Sequence, residues 1–290
     1  AARIAAREAQ SPQLAEWIED LMIRRNIGRL SAAQWEDGYE AAASAWRAER
    51  LEEAERKLEV YLRGAGAPAS LRALMAEVRW ARGDETGAVA MARAALSAGP
   101  ASEGSEAPDP RAVFHASRVL AMAAERHGDA AEAERHYRAA VEAGQDERVR
   151  EGRARAEARR GLARALRLQR RAVEAVAELE AALAVVRADP AARPEMPLLL
   201  AELGEAQAAT GHLDAAIEAW RSACDEWREA RGSAPPLSVV LKLAGALLER
   251  GGIEEAIRRL QSALDHPEEV SAPLAERMEA HRLLGWAWNR

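Results

Sequence analysis

Residues 200–223 read LAELGEAQAATGHLDAAIEAWRSA. Leu200, Leu203 and Gln207, then Ala216, Trp220 and Ala223, fall at intervals of three and four. That is the period of a helix face, not the alternation of a strand. Gly211 divides the two runs and suits a helix end where the backbone must turn left-handed. Gly204 stands twelve residues before Ala216. Two antiparallel helices approach closely only where a facing position is Gly or Ala, so the pair marks the crossing of a helical hairpin.

Working outward, the same setting recurs around Ala54, Ala88, Ala133, Ala175, Ala216 and Ala256. Four of these alanines stand five residues after a glycine, at Gly83, Gly128, Gly211 and Gly251. The other two, in ERLEEA and RRAVEA, keep the turn and lose the glycine. Twelve residues before each alanine sits a small residue: Ala42, Ala76, Ala121, Ala163, Gly204 and Ala244. Self-similarity at this period predicts stacked helix pairs. The units run roughly 35–68, 69–102, 114–146, 156–190, 197–232 and 237–268, with a half unit over 273–290. Pro100 and Pro190 close units. Residues 1–34 read as a tail and a cap helix, begun by Ser11-Pro12 and striped by Leu14, Trp17, Ile18, Leu21 and Met22. The stretch 101–110, ASEGSEAPDP, reads as a flexible bulge inside one solenoid rather than a domain boundary.

The chain resembles the tetratricopeptide repeat. That family's line is a large residue, Leu-Gly, a second large residue, Gly-Asp/His, then Ala, an aromatic and Ala. Here it appears as Leu200, Leu203-Gly204, Gly211-His212, Ala216, Trp220 and Ala223. The third unit gives Leu120-Ala121, Gly128-Asp129, Ala133, Tyr137 and Ala140, and the last gives Leu284-Gly285 and Trp288. The resemblance implies an all-α, right-handed superhelical solenoid of antiparallel helix pairs: six full repeats, an N-terminal cap helix and a C-terminal half repeat. The alanines step by 34 residues once, then by 45, 42, 41 and 40. These longer units are similar to those of kinesin light chain and of bacterial regulators with tetratricopeptide-like domains. The extra residues are expected after the second helix of each pair. Arg79 stands where the family usually buries a large side chain.

The chain has 290 residues, 49% hydrophobic and 30% charged, which is too apolar for disorder. A formal net charge of −6 argues against nucleic-acid binding, which needs a basic footprint. The lone Cys224 cannot form an internal disulfide and reads as a semi-buried structural thiol. No apolar run has the length of a membrane span, and no secretory core is visible. A cytoplasmic location is expected. The uncovered apolar face of the last helix (Leu283, Leu284, Ala287, Trp288) leads us to expect more sequence after Arg290 in the parent protein.

In the resembled family the first helices line a concave groove, at positions two, five, nine, twelve and thirteen of each unit. Carried over, Tyr39, Trp46 and Trp80 become exposed anchors for a peptide or apolar ligand, with Trp46 and Trp80 adjacent on one face; the competing expectation is that they pack on neighbouring helices or on the N-terminal cap. Arg118, Arg160, Arg164 and Arg167 become a basic band. Between Asp146 and Arg171 ten arginines face four acids. Arginines so placed grip carboxylates or phosphates, and an acidic peptide, a free C-terminal carboxylate or a phosphorylated tail fits them. The competing expectation is a solvated face neutralised by Glu151, Glu157 and neighbouring acids. Trp286 and Trp288 read as an interface to a following helix.

No catalytic, metal or cofactor residues emerge. The histidines lack metal spacing, and neither a phosphate loop nor a nucleophile motif is present. The expected function is therefore a non-enzymatic scaffold holding a partner peptide or helix. The alternative is a sensor region of a larger signalling protein with an ATPase, kinase or protease effector. An RNA-reading repeat is disfavoured, because positions twelve and thirteen repeat no polar code.

Overall fold

The computed structural model describes residues 30–63, 66–98, 108–265 and 272–289, apart from the side chains of 230 and 231. The expected cap helix from Ser11, Pro100 and most of the 101–110 bulge lie outside the described residues. The chain divides into two compact units, Ala1–Arg150 and Glu151–Arg290.

All regular structure among the described residues is helical. The first unit holds α1 (Ala32–Arg47), α2 (Leu51–Leu62), α3 (Ala69–Ala81), α4 (Glu85–Ser97), α5 (Pro110–Arg126) and α6 (Ala130–Ala143). The second holds α7 (Gly152–Leu168), α8 (Ala172–Ala188), a 3-10 turn (Pro190–Glu195), α9 (Met196–Ala209), α10 (Leu213–Arg231), α11 (Leu237–Glu249), α12 (Ile253–Leu264) and α13 (Leu274–Trp288). Within each unit successive helices form antiparallel pairs, so the fold is the tetratricopeptide-like stack.

The small-residue register builds these pairs. Ala42, Ala76, Ala163 and Ala244 are fully buried, as are Ala54, Ala88, Ala175, Ala216 and Ala256 on the second helices. Gly204 shows why size matters, since a Cβ there would stand 2.6 Å from the Trp220 ring. Trp220 in turn donates its indole N–H to the Ala201 carbonyl at 3.1 Å. Gly38 makes the same close approach to Tyr61, also 2.6 Å from a built Cβ.

Each turn between paired helices has one left-handed residue. It is Gly83, Gly128, Gly211 or Gly251 in four pairs, with φ between 78° and 85°. In the two pairs without a turn glycine the same place is held by Glu49 (φ 58°) and Arg170 (φ 61°). A side chain there costs about 1–2 kcal/mol. The geometry of the turn is thus fixed by the pair, and glycine is its low-strain solution.

The extra length is not confined to second helices. α8 and α10 have 17 and 19 residues, but the first helices α5 and α7 also reach 17. Both begin four residues before the expected unit starts, at Pro110 and Gly152. Asp109 caps α5 by accepting from the Arg111 amide, with Pro110 preset at the first position. Arg79 stays one-third exposed and lies 3.9 Å from Asp84, so the missing large apolar side chain is replaced by a surface ion pair.

Candidate functional site

In the first unit the first-helix side chains meet one another. Arg111 of α5 forks onto both carboxylate oxygens of Glu36 in α1, at 2.7 and 2.8 Å, and its guanidinium lies 4.2 Å over the Tyr39 ring. The Tyr39 hydroxyl bonds His115 Nε2 at 2.9 Å. On its other side His115 Nδ1 lies 3.4 Å from Glu77 Oε1 of α3, and Arg118 Nε reaches the same oxygen at 3.2 Å. The Trp46 and Phe114 rings meet His115 edge-on, at 5.5 and 5.1 Å between centroids. His115, Glu77 and Arg118 are 0%, 3% and 5% exposed. The bidentate bond from Arg111 holds the Glu36 carboxyl below its usual range; burial pulls the guanidinium downward, but the bond to Glu36 and the charges of Asp109 and Glu36 outweigh it and raise the guanidinium.

This corrects the expected exposure of Tyr39 and Arg118. Tyr39 is 1% exposed and is a core residue, because α5 reaches it across a separation of 76 residues. Arg118 is buried against Glu77 of α3. Trp46 is half-buried against His115, whereas Trp80 packs beneath Arg126, whose guanidinium lies 4.6 Å over its ring. No ring contact joins Trp46 to Trp80 among the described residues.

The second unit places its first-helix charges differently. Arg160, Arg164 and Arg167 lie on one face of α7 with side chains 19%, 34% and 28% exposed. Their counter-ions come from the next first helix and the turn before it. Arg160 bonds Glu195 at 3.0 Å, and Arg153 shares that carboxylate at 3.2 Å. Arg167 bonds Glu205 of α9, which Lys242 of α11 also bonds. Glu202 lies 3.8 Å from both Arg160 and Arg164, beyond hydrogen-bond reach. Its Oε2 and Arg160 Nε are buried atoms without a hydrogen-bond partner among the described residues.

Burial raises the Glu202 carboxyl above its usual range, against the pull of the three arginines. Burial pushes Glu205 the same way, but hydrogen bonds from Lys242 and Arg167 outweigh it and hold Glu205 low. Glu202, Glu205 and Lys242 were not among the expected site residues. The signal was present, since these acids stand about one repeat beyond the arginines they face.

Elsewhere, Trp286 and Trp288 of α13 are 38% and 64% exposed while Leu284 is buried. A cavity of about 720 Å³ is bounded by Trp227, Leu237, Arg259 and Pro273, but Arg259 is held by Asp225 at 2.7 Å. Cys224 also borders it, buried, with its thiol pushed up to about 11 by desolvation. Such a thiol stays protonated and unreactive near neutrality. Among the described residues no cluster of His, Cys, Asp or Glu is arranged to hold a metal ion. No helix among them is long and apolar enough to cross a membrane.

No protein-family model matches the chain, and no curated protein matches its sequence. Solved structures do match in fold. PilF of Pseudomonas aeruginosa has a TM-score of 0.60 at 14% identity, covering 86% of this chain and 96% of that one. A chain of the Cut9–Hcn1 hetero-tetramer of APC/C gives 0.58 at 15% identity over 98% of this chain and 48% of its own length. Apo RapI gives 0.51 at 12% identity, covering 88% and 98%.

Proposed function

We propose that this tetratricopeptide-like chain is a non-catalytic scaffold, and that it holds an acidic segment of a partner protein on the first-helix face of its second unit. The observation that carries this reading is the contrast in exposure at matched positions. Arg118 and Glu77, which stand in the first unit where Arg160 and Arg164 stand in the second, are at most 5% exposed. Arg160, Arg164 and Arg167 of the second keep 19–34% of their side chains at the surface. A guanidinium offers a planar fork to carboxylate or phosphate, and three on one helix face give a charged strip that an extended or helical acidic segment can follow. One structure with this fold was solved as a hetero-tetramer of Cut9 with Hcn1, which is consistent with a scaffold role here.

The test is selection of displayed random peptides on the full chain, beside an Arg160→Glu, Arg164→Glu, Arg167→Glu variant. Enrichment of Asp/Glu-rich or phosphorylated sequences by the parent chain alone, with helicity unchanged in the variant, supports the reading. Equal enrichment by both chains removes the α7 face as the site.

A further inference from the structure

The α7 arginines are not bare; each faces a carboxylate of the same unit. Those carboxylates differ in how firmly they are held. Glu195 takes hydrogen bonds from Arg160 at 3.0 Å and is 3% exposed. Glu205 is bonded by Arg167 and Lys242 together. Glu202 lies between Arg160 and Arg164 at 3.8 Å from each, is four-fifths buried, and keeps one oxygen without a hydrogen-bond partner among the described residues. A carboxylate with one oxygen shut off from water and given no hydrogen bond in return is the least firmly held charge among these three. It is also the one whose position a partner's anion would take, since it lies between two forked donors.

We propose that Glu202 is a displaceable resident counter-ion: an acidic partner segment takes its place between Arg160 and Arg164, and docking is coupled to uptake of one proton by Glu202. This rests on the proposed site on α7 and adds its regulation. The proton comes from solvent and ends on a Glu202 carboxyl oxygen, which removes one negative charge from between Arg160 and Arg164 and lets the incoming anion replace it, while Arg160 keeps its bond to Glu195. Two anions cannot share the two guanidinium groups without repulsion, so binding and protonation favour each other by linkage. Burial already biases Glu202 toward its neutral form, in keeping with this role. The charged groups facing it are Arg160, Arg164 and Arg167 from α7, Glu195 from the 3-10 turn, Glu205 from α9 and Lys242 from α11. No histidine lies on α7, α9 or α11, so the proton is not taken up by an imidazole on this face.

The experiment measures affinity of the full chain for a peptide carrying three sulfotyrosines, whose charge does not change with pH, between about pH 7.5 and pH 5.5. The parent chain is expected to bind more tightly as pH falls. Glu202→Gln is expected to bind about tenfold more tightly than the parent at the upper end and to lose most of the pH response. Glu205→Gln, which removes a firmly held acid, is expected to keep the parent's pH slope. Unchanged affinity and an unchanged slope in Glu202→Gln overturn the proposal. The Arg160, Arg164, Arg167 triple reversal separates the two levels. If it binds the probe as the parent does, the site itself is wrong. If it loses the probe while Glu202→Gln matches the parent, the site stands and only the displacement fails. A melting curve on each variant shows whether it is folded.

Discussion

The two compact units use the same repeat register and treat their first helices in opposite ways. In the first unit α1 and α5 meet across α3 through Glu36–Arg111 and Tyr39–His115; Glu36 stays half-exposed, but Tyr39, His115, Glu77 and Arg118 behind it are sealed in. In the second unit α7, α9 and α11 are joined in sequence by Arg167–Glu205–Lys242, and those side chains stay 25–42% exposed. The register sets which residues face one way. Whether that face is a core or a surface depends on whether the helix after next reaches it.

The largest expected effect lies in the first unit. Glu77→Ala leaves Arg118 buried without its carboxylate and His115 without a partner on Nδ1. Loss of one member of a buried pair costs about 3–5 kcal/mol. Glu202→Gln in the second unit removes a poorly held charge, and we expect its unfolding free energy to stay within about 1 kcal/mol of the parent or to rise. Urea unfolding of the two variants measures both, and equal losses would erase the distinction between the units.

The crossings of paired helices should behave alike in both units. Gly38→Ala and Gly204→Ala each place a Cβ 2.6 Å from an aromatic ring atom, of Tyr61 and Trp220 respectively. Each is expected to lose about 1–3 kcal/mol by overpacking, as measured by the shift in urea midpoint. A large cost at one site and none at the other would show that the units differ in pair packing as well.

Acid should act on the units with opposite signs. Glu36 is held below the ordinary glutamate value of 4.5, so its contribution is present above that value and fades as pH falls through the lowered one. Glu202 is raised above 4.5, so the stability linked to its protonation is present below that value and is lost as pH rises through the raised one. Stability followed against pH should therefore show Glu202→Gln gaining on the parent as pH rises above 4.5, and Glu36→Gln less stable than the parent above 4.5 with the gap closing as pH falls below it. A Glu36→Gln gap that widens on acidification, or a Glu202→Gln gain confined to pH below 4.5, would contradict the assignments.

The smallest effects are expected at the turns. Glu49→Gly in the first unit and Arg170→Gly in the second relieve a left-handed backbone. After the added freedom of the unfolded chain is subtracted, each should gain no more than about 1 kcal/mol. A calorimetric melting point that falls in either variant would mean that the side chain contributes more than its strain costs.

Much of this fold was legible in the sequence, because close helix crossing demands small residues and those residues recur. The left-handed turns could be read even at Glu49 and Arg170, where no glycine marks them, from the spacing to Ala54 and Ala175. The candidate site was legible only in part. Family positions placed Tyr39 and Arg118 on a groove, but Tyr39 is covered by α5 side chains two repeats away and Arg118 is buried against Glu77 of α3, which no single-unit pattern encodes. The arginine face of α7 was visible as an i, i+4, i+7 row, whereas its counter-ions were sought locally at Glu151 and Glu157. They stand instead on the neighbouring repeat, at Glu202 and Glu205, because stacking brings residues one period apart side by side.

The most direct test of the difference between the units is photo-crosslinking of the full chain with the sulfotyrosine peptide carrying a benzophenone side chain, with adducts located by mass spectrometry. Adducts confined to α7, α9 and α11 are predicted, with α1, α3 and α5 unlabelled. Adducts on the first-unit helices, or labelling that survives reversal of Arg160, Arg164 and Arg167, would contradict the account.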